Sequence, residues 1–531
     1  MKKFYFLLLF MGMFLSLLTA QRRYLDQGFG VIRTANVDYA RNIGIITGAP
    51  APEDLKVDIY TPVGDSETAR PLVLIAHTGS FLPPIFNGQV TGSRNDSTVI
   101  ATAIALASRG YVVGAYTYRL GWLPTAPNQN SRTGSLLQAA YRAIQDTRSC
   151  IRFFRKTAAE DGNPYGIDPD KIAVWGIGTG GYLAMGAGSL NDFSEVVLEK
   201  FINTETLLPY IDSTVFGNIY GTTQAAICLP NHPNYSSDFN LSVNLGGALG
   251  DSTWMDGEDV EPAYVGVHSQ NDIFAPYYEG PVIVPTTNQF VIYATGTRKC
   301  IEIANQKGSN DVLNGLDASN DPIRSLIEFQ KSNNVIIPVA NPPQQIIQGT
   351  DHFYGFDTPL FSGGAPAPQG SPWEWWDYNT LQLVVAAVNA ARGTNFSADT
   401  LHLNGLRTNP DMSAAKGRRY LDTVNMLVLP RACLALDLGC QFSSIKEVQA
   451  SEIGLNVFPN PVRDVIHLQT NADAQMETVY IYDLNGRLVK AHSNLHSSQV
   501  SLPKNNLTAG FYLMQVRTKD KLVQTQIIVQ D

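Results

Sequence analysis

Strand-like and helix-like stretches alternate from residue 57 to about residue 427, and this predicts an α/β fold with a mostly parallel, doubly wound sheet. Two further observations refine it. The predicted strands are short unbroken apolar runs, as in a sheet covered on both faces. After residue 451 the pattern changes to short alternating strands separated by turns, which predicts a small all-β sandwich. In order, residues 57–60 and 71–76 read as strands, 98–109 as a helix and 111–116 as a strand. Residues 136–157 carry Ala140, Ile144, Ile151 and Phe154 at helical spacing, and 171–175 and 262–267 are further buried strands. Residues 381–391 read as a buried helix and 413–427 as the helix that closes the domain, while 305–347 has mixed periodicity and is left open. In such a sheet, sites form beyond the carboxyl ends of the strands.

Length and composition bound the function. A chain of 531 residues implies two or three units. With 16% charged residues, a net charge of −9 and no cationic cluster, it lacks the electrostatic footprint of a nucleic-acid binder. Lys2 and Lys3 precede an apolar run over residues 4–18 that ends at Thr19 and Ala20, followed by polar Gln21, Arg22 and Arg23. This is the pattern of a signal peptide, residues 1–20, and no stable membrane span is expected elsewhere. The five cysteines are too few for a disulfide scaffold, although Cys433 and Cys440 could close a small loop. None has metal-ligand spacing, and neither metal nor cofactor is expected.

The C-terminal segment contains Val457-Phe-Pro-Asn-Pro461, an Asp483-Leu-Asn-Gly486 hairpin turn and Leu507-Thr-Ala-Gly-Phe-Tyr512. It resembles the C-terminal sorting domain of the type IX secretion system. That resemblance implies a Gram-negative source of the Bacteroidetes type, passage through the periplasm, and release or display at the outer cell surface. The expected organisation is therefore a signal peptide (1–20), a large domain (21–446) and a sorting domain (447–531).

Four segments of the large domain carry chemistry. His77-Thr-Gly-Ser-Phe81 follows a strand, and Trp175-Gly-Ile-Gly-Thr-Gly-Gly181 joins a strand to a helix. Val265-Gly-Val-His-Ser-Gln-Asn-Asp272 leads from a strand into a loop, and Gly349-Thr-Asp-His352-Phe353 comes later. Together they resemble the carboxylesterase branch of the α/β-hydrolases, whose fold this implies. The resemblance makes Gly79 and Ser80 oxyanion-hole donors together with the backbone of Thr179, Asp272 the triad acid and His352 the base. Thr78 departs from the glycine usual in the first loop. Residue 178, where the family holds its serine on a strained elbow, is glycine. Glycine tolerates that backbone but has no hydroxyl. Loss of a triad serine costs about six powers of ten in turnover, and oxyanion-hole and binding effects alone leave about 10³ to 10⁴ over water.

The expected function is thus a secreted, carboxylesterase-like protein, weak or inactive as an ester hydrolase, with an ester or glycan ligand. Two alternatives stand beside it: a non-catalytic surface binding protein, and an active hydrolase using an unorthodox nucleophile such as Thr179. Gly176, Gly178 and Gly181 also match the dinucleotide spacing, but no strand ending in an acidic residue follows at the distance that motif needs; Glu195 and Glu199 lie in helix or loop. The acidic stretch 251–261 reads as a solvated loop before a calcium site. Trp373-Glu-Trp-Trp376 reads as core packing before a ligand wall.

Overall fold

The computed structural model describes residues 22–258, 260–284, 287–337, 345–358, 368–440, 442, 446–483, 488–505 and 507–530. The expected signal peptide lies outside these residues. The main sheet has eight strands: β1 (Gly30–Gly44), β2 (Ala51–Val63), β3 (Arg70–Ala76), β4 (Val112–Tyr116), β5 (Ile167–Ile177), β6 (Leu241–Leu245), β7 (Ala263–Ser269) and β8 (Phe353–Phe356). They lie in the order β1-β2-β4-β3-β5-β6-β7-β8. The β1–β2 hairpin is antiparallel and forms one edge; every pairing from β4 to β8 is parallel. All seven residues of β7 are buried, as the unbroken apolar pattern requires of a strand with both faces covered.

Among the described residues the longer helices of the domain are α1 (Ser97–Ala107), α2 (Gln129–Glu160), α3 (Thr179–Ser189), α4 (Thr297–Lys307), α5 (Arg324–Ser332), α6 (Tyr378–Arg392), α7 (Ala398–Thr408) and α8 (Ala414–Ala435), and Ala248–Leu249, Glu279–Val284 and Gln289–Gly296 form a second, three-stranded sheet. Side chains of α2, α3 and α4 pack on one face of the sheet, and those of α1, α5 and α8 on the other. Helix α2 starts seven residues before its apolar period does, because the Asn128 side chain accepts a hydrogen bond from Ser131 N (2.7 Å) and caps it. Helix α8 runs past residue 427 and through Pro430 to a disulfide between Cys433 and Cys440, whose Cα atoms are 5.7 Å apart. The segment left open contains α5 and a hairpin of Asn334–Ile337 with Gln345–Gln348.

One helix differs from expectation. Only Leu381 and Val385 of α6 are buried, and Leu383 is 73% exposed. Helices α6 and α7 form a small projection with its own cluster, Ile85, Leu381, Val385 and Leu401, instead of entering the main core.

The C-terminal segment is a sandwich of a five-stranded and a three-stranded sheet. Ile466, Leu468, Val479, Ile481, Met514, Val516 and Ile527 fill its centre. Strands Met476–Asp483 and Leu488–Ser497 pair antiparallel, as the Asn-Gly turn signal demands, although residues 484–487 themselves lie outside the described residues. Tyr482 and Leu488 join the core that α8 contributes to the large domain.

Candidate functional site

The carboxyl ends of β3, β5 and β7 open into one cleft, lined among others by Thr78, Gly79, Ser80, Gly178, Thr179 and Asp272. Of the six site residues expected from sequence, Gly79, Ser80, Gly178, Thr179 and Asp272 line this cleft and His352 does not.

Gly178 follows β5 with φ 54° and ψ −114°, and its N–H donates to Leu245 O (2.7 Å). Few residues with a Cβ hold such angles without strain, so the elbow keeps its shape while lacking its side chain. The space is not empty. A Cβ built on Gly178 would overlap the Thr78 hydroxyl and lie 3.0 Å from the Thr78 Cβ. The neighbouring glycines serve packing: a Cβ on Gly176 would meet the backbone of Gly180, one on Gly180 the Ala76 carbonyl, and one on Gly181 the Asn244 side chain. Close seating of α3 on the sheet therefore accounts for the dinucleotide-like spacing.

The first loop is tightly wound. Gly79 has φ 126°, and a Cβ there would come within 2.7 Å of Gly92 Cα; Ser80 and Phe81 follow in the left-handed region at φ 55° and 53°. The Ser80 N–H, one of the expected oxyanion donors, already donates to Thr179 Oγ1 at 2.7 Å. The same bond occupies the hydroxyl considered as a substitute nucleophile.

Asp272 lines the cleft, with His268 as its side-chain partner. Its Oδ1 accepts from Phe274 N (2.7 Å) and Ala275 N (3.3 Å), and its Oδ2 is 3.2 Å from His268 Nε2. Burial pushes the carboxyl above its ordinary 3.8, against the pull of His268 and these two amides. His268 is buried within β7, and its Nδ1 is 2.8 Å from Thr297 Oγ1.

The strand register does not bring His352 to Asp272. Phe353 pairs with Gly266 and Phe356 with Ser269, so His352 precedes β8 and stands level with Val265. Four residues of strand, about 13 Å at ~3.3 Å each, separate that level from the end of β7, and Asp272 lies beyond it. His352 Nδ1 instead accepts from Arg431 Nε at 3.2 Å, and burial with the nearby Arg431 charge lowers its pKa to about 3. The short run Phe353-Tyr-Gly-Phe356 is the edge strand of the main sheet, and residues 357–376, which follow it in sequence, include no histidine.

Sequence reasoning missed Glu374. Within the aromatic run, Trp373 is core, whereas Glu374 and Trp376 line the cleft. Glu374 is 4% exposed; burial, and after it the Asp96 charge, raises its pKa well above the ordinary 4.5. Asp96 is itself pushed up to about 6 by burial. A carboxyl raised in the folded state contributes stability that is fully present below its unfolded pKa and is lost as pH rises through the folded one. Glu374→Gln is therefore expected to become progressively more stable relative to the parent as pH rises above about 4.5. Melting temperatures of both proteins across pH 4 to 8 check this; parallel curves would refute it.

The acidic stretch after β6 is occupied with its own contacts: Asp251 pairs with Lys200 (2.7 Å), and Glu261 accepts from Asp256 N (2.9 Å) and Ser309 Oγ (2.8 Å).

Residues 57–229 match the family described as BD-FAE, and residues 456–530 match the secretion system C-terminal sorting domain. The large domain has the α/β-hydrolase fold, and its residues 57–229 are similar to that esterase-like family. Among solved structures, the chain is similar to esterase B from Lactobacillus rhamnosis inhibited by a tributyrin phosphonate (18% identity, 46% of this chain and 68% of that one, TM-score 0.27). It is also similar to esterase 2 of Thermogutta terrifontis phosphorylated by paraoxon (19% identity, 46% and 73%, TM-score 0.27). No curated protein sequence matches. The sorting domain directs this hydrolase-fold protein, through the type IX machinery, to the cell surface or outside. Among the described residues no helix is long and apolar enough to cross a membrane.

Proposed function

We propose that this exported hydrolase-fold protein binds a ligand in the inherited cleft without forming an acyl-enzyme. The observation that carries the reading is the Thr78 side chain standing over Gly178, in the space a serine side chain would need. Two others support it: Thr179 Oγ1 takes up the Ser80 N–H, and Asp272 is held by His268 from inside the sheet while His352 is bound to Arg431. Among the described residues that line the cleft there is no histidine to activate a water or to take the Thr179 proton. The leader at residues 1–20, a Bacteroidetes-type source, and the division at residues 446 and 447 belong to the same proposal. The ligand's class extends to esters and glycans on this reading alone.

The parent protein is expected to hydrolyse p-nitrophenyl acetate no faster than His352→Ala or Thr179→Ala, and to resist labelling by a fluorophosphonate probe. Stoichiometric labelling that disappears in Thr179→Ala would establish an unorthodox nucleophile and end the non-catalytic reading.

A further inference from the structure

We propose that Glu374 makes the cleft a receptor for a primary ammonium group. This rests on the reading of the cleft as a binding site and names the chemistry of what it binds. Among the described residues that line the cleft, the ionisable acids are Asp272 and Glu374, and there is no lysine, arginine or histidine. Both oxygens of Asp272 are occupied, by His268 and by two backbone amides. Glu374 is different: it is 4% exposed, and among the described residues its Oε1 has no hydrogen-bond partner. An unpartnered buried acceptor is costly unless a ligand completes it.

The protonation of Glu374 follows from its neighbours. Thr98 Oγ1 lies 2.8 Å from Trp373 O and 3.2 Å from Glu374 Oε2. A hydroxyl carries one proton, and the carbonyl, at the shorter distance, takes it. What Thr98 then offers Glu374 is a lone pair, so the second contact is a hydrogen bond only when Glu374 Oε2 carries a proton and donates it. Asp96 accepts from Gly92 N (2.7 Å), Ser93 N (2.9 Å) and Ser93 Oγ (3.1 Å), three donors that favour its anion. The other charges packed nearby are Lys416 and Asp411, paired behind Asn409, whose side chain donates to the Glu374 backbone carbonyl (2.8 Å). A neutral carboxyl with one buried, unpartnered oxygen thus stands in the cleft wall beside the Asp96 carboxylate.

A neutral hydroxyl would satisfy Oε1 and leave the Asp96 field unanswered. An ammonium group does both, and Phe81, Trp122, Phe274 and Trp376 supply aromatic walls suited to a cation and its alkyl stem. The exchange balances: R–NH3+ enters, Glu374 passes its proton to solvent, and the carboxylate formed pairs with the ammonium.

Isothermal titration calorimetry of the full chain at pH 7, in phosphate and in Tris, tests this with glucosamine and N-acetyl-lysine amide as probes. Glucose and Nα-acetyl-norleucine amide are the uncharged counterparts. At least one ammonium probe is expected to saturate, to release close to one proton, and to bind at least about tenfold more weakly to Glu374→Gln; which probe binds identifies an amino sugar or a peptide side chain as the source. Failure of both ammonium probes to bind, unchanged affinity in Glu374→Gln, or binding without proton release overturns the proposal. The proton count on the parent protein decides the matter even if Glu374→Gln does not fold. Fluorophosphonate labelling is read separately: a positive result removes the non-catalytic reading, whereas a failed titration with no labelling removes the ammonium site alone.

Discussion

Gly178→Ser is expected to lower stability and to leave ester hydrolysis at the level of the parent protein, although it restores the family's Gly-x-Ser-x-Gly pattern. Two costs act on the folded state. A residue with a Cβ must adopt φ 54° and ψ −114°, which costs about 1–3 kcal/mol. The new side chain also overlaps Thr78, and overpacking of this kind costs a further 1–3 kcal/mol or so. Together the loss is about 2–6 kcal/mol, read as a lower urea midpoint at unchanged slope. Thr78→Gly in the same chain removes the second cost and is expected to recover part of the midpoint. Neither variant brings a histidine to the cleft, because His352 is held by Arg431 and none of the described residues that line the cleft is a histidine. A Gly178→Ser protein as stable as the parent, or one that hydrolyses p-nitrophenyl acetate orders of magnitude faster, would show that Thr78 does not fill the serine's place.

Much of this arrangement was legible because it depends on local sequence. An apolar run such as Leu72–Ala76 can only be an interior strand, and Gly176 to Gly181 marks a strand-to-helix elbow whatever the residue at its tip. His352 shows where local sequence stops. Gly-Thr-Asp-His-Phe reads equally well before a strand or after one, and only the pairing of Phe353 with Gly266 decides that it comes before. Leu383 fails for a related reason: an apolar row shows that a helix has a greasy face, not that the fold provides a surface to cover it. The bond from Ser80 to Thr179 spans 99 residues, and no spacing rule reports it. Glu374 gave a faint signal, an acid among three tryptophans, which became readable once Thr98 and Asp96 were seen beside it.

Arg431→Met is expected to be the most destabilising single change near His352, by about 3–5 kcal/mol, with no effect on ester turnover. The side chains of Arg431 and Asp321 are both fully buried and pair at 2.7 and 3.1 Å. Arg431 also donates to Leu427 O (2.8 Å) and to His352 Nδ1 (3.2 Å). Methionine fills the volume but leaves the Asp321 carboxylate buried and unpaired, which is what makes removal of one partner costly. Asp321→Asn in the same chain removes that stranded charge, so the double variant is expected to lose less than the two single losses added. His352 acts in the opposite pH direction from Glu374. Its folded pKa of about 3 lies below its ordinary 6.5, so its neutral burial contributes stability that is present above pH 6.5 and lost as pH falls toward 3. His352→Ala should therefore cost stability at neutral pH yet flatten the loss on acidification. Urea titrations at pH 7.5 and 4.5 measure both effects, and a His352→Ala protein that keeps its full acid sensitivity would show that this histidine is not buried as the neutral acceptor of Arg431.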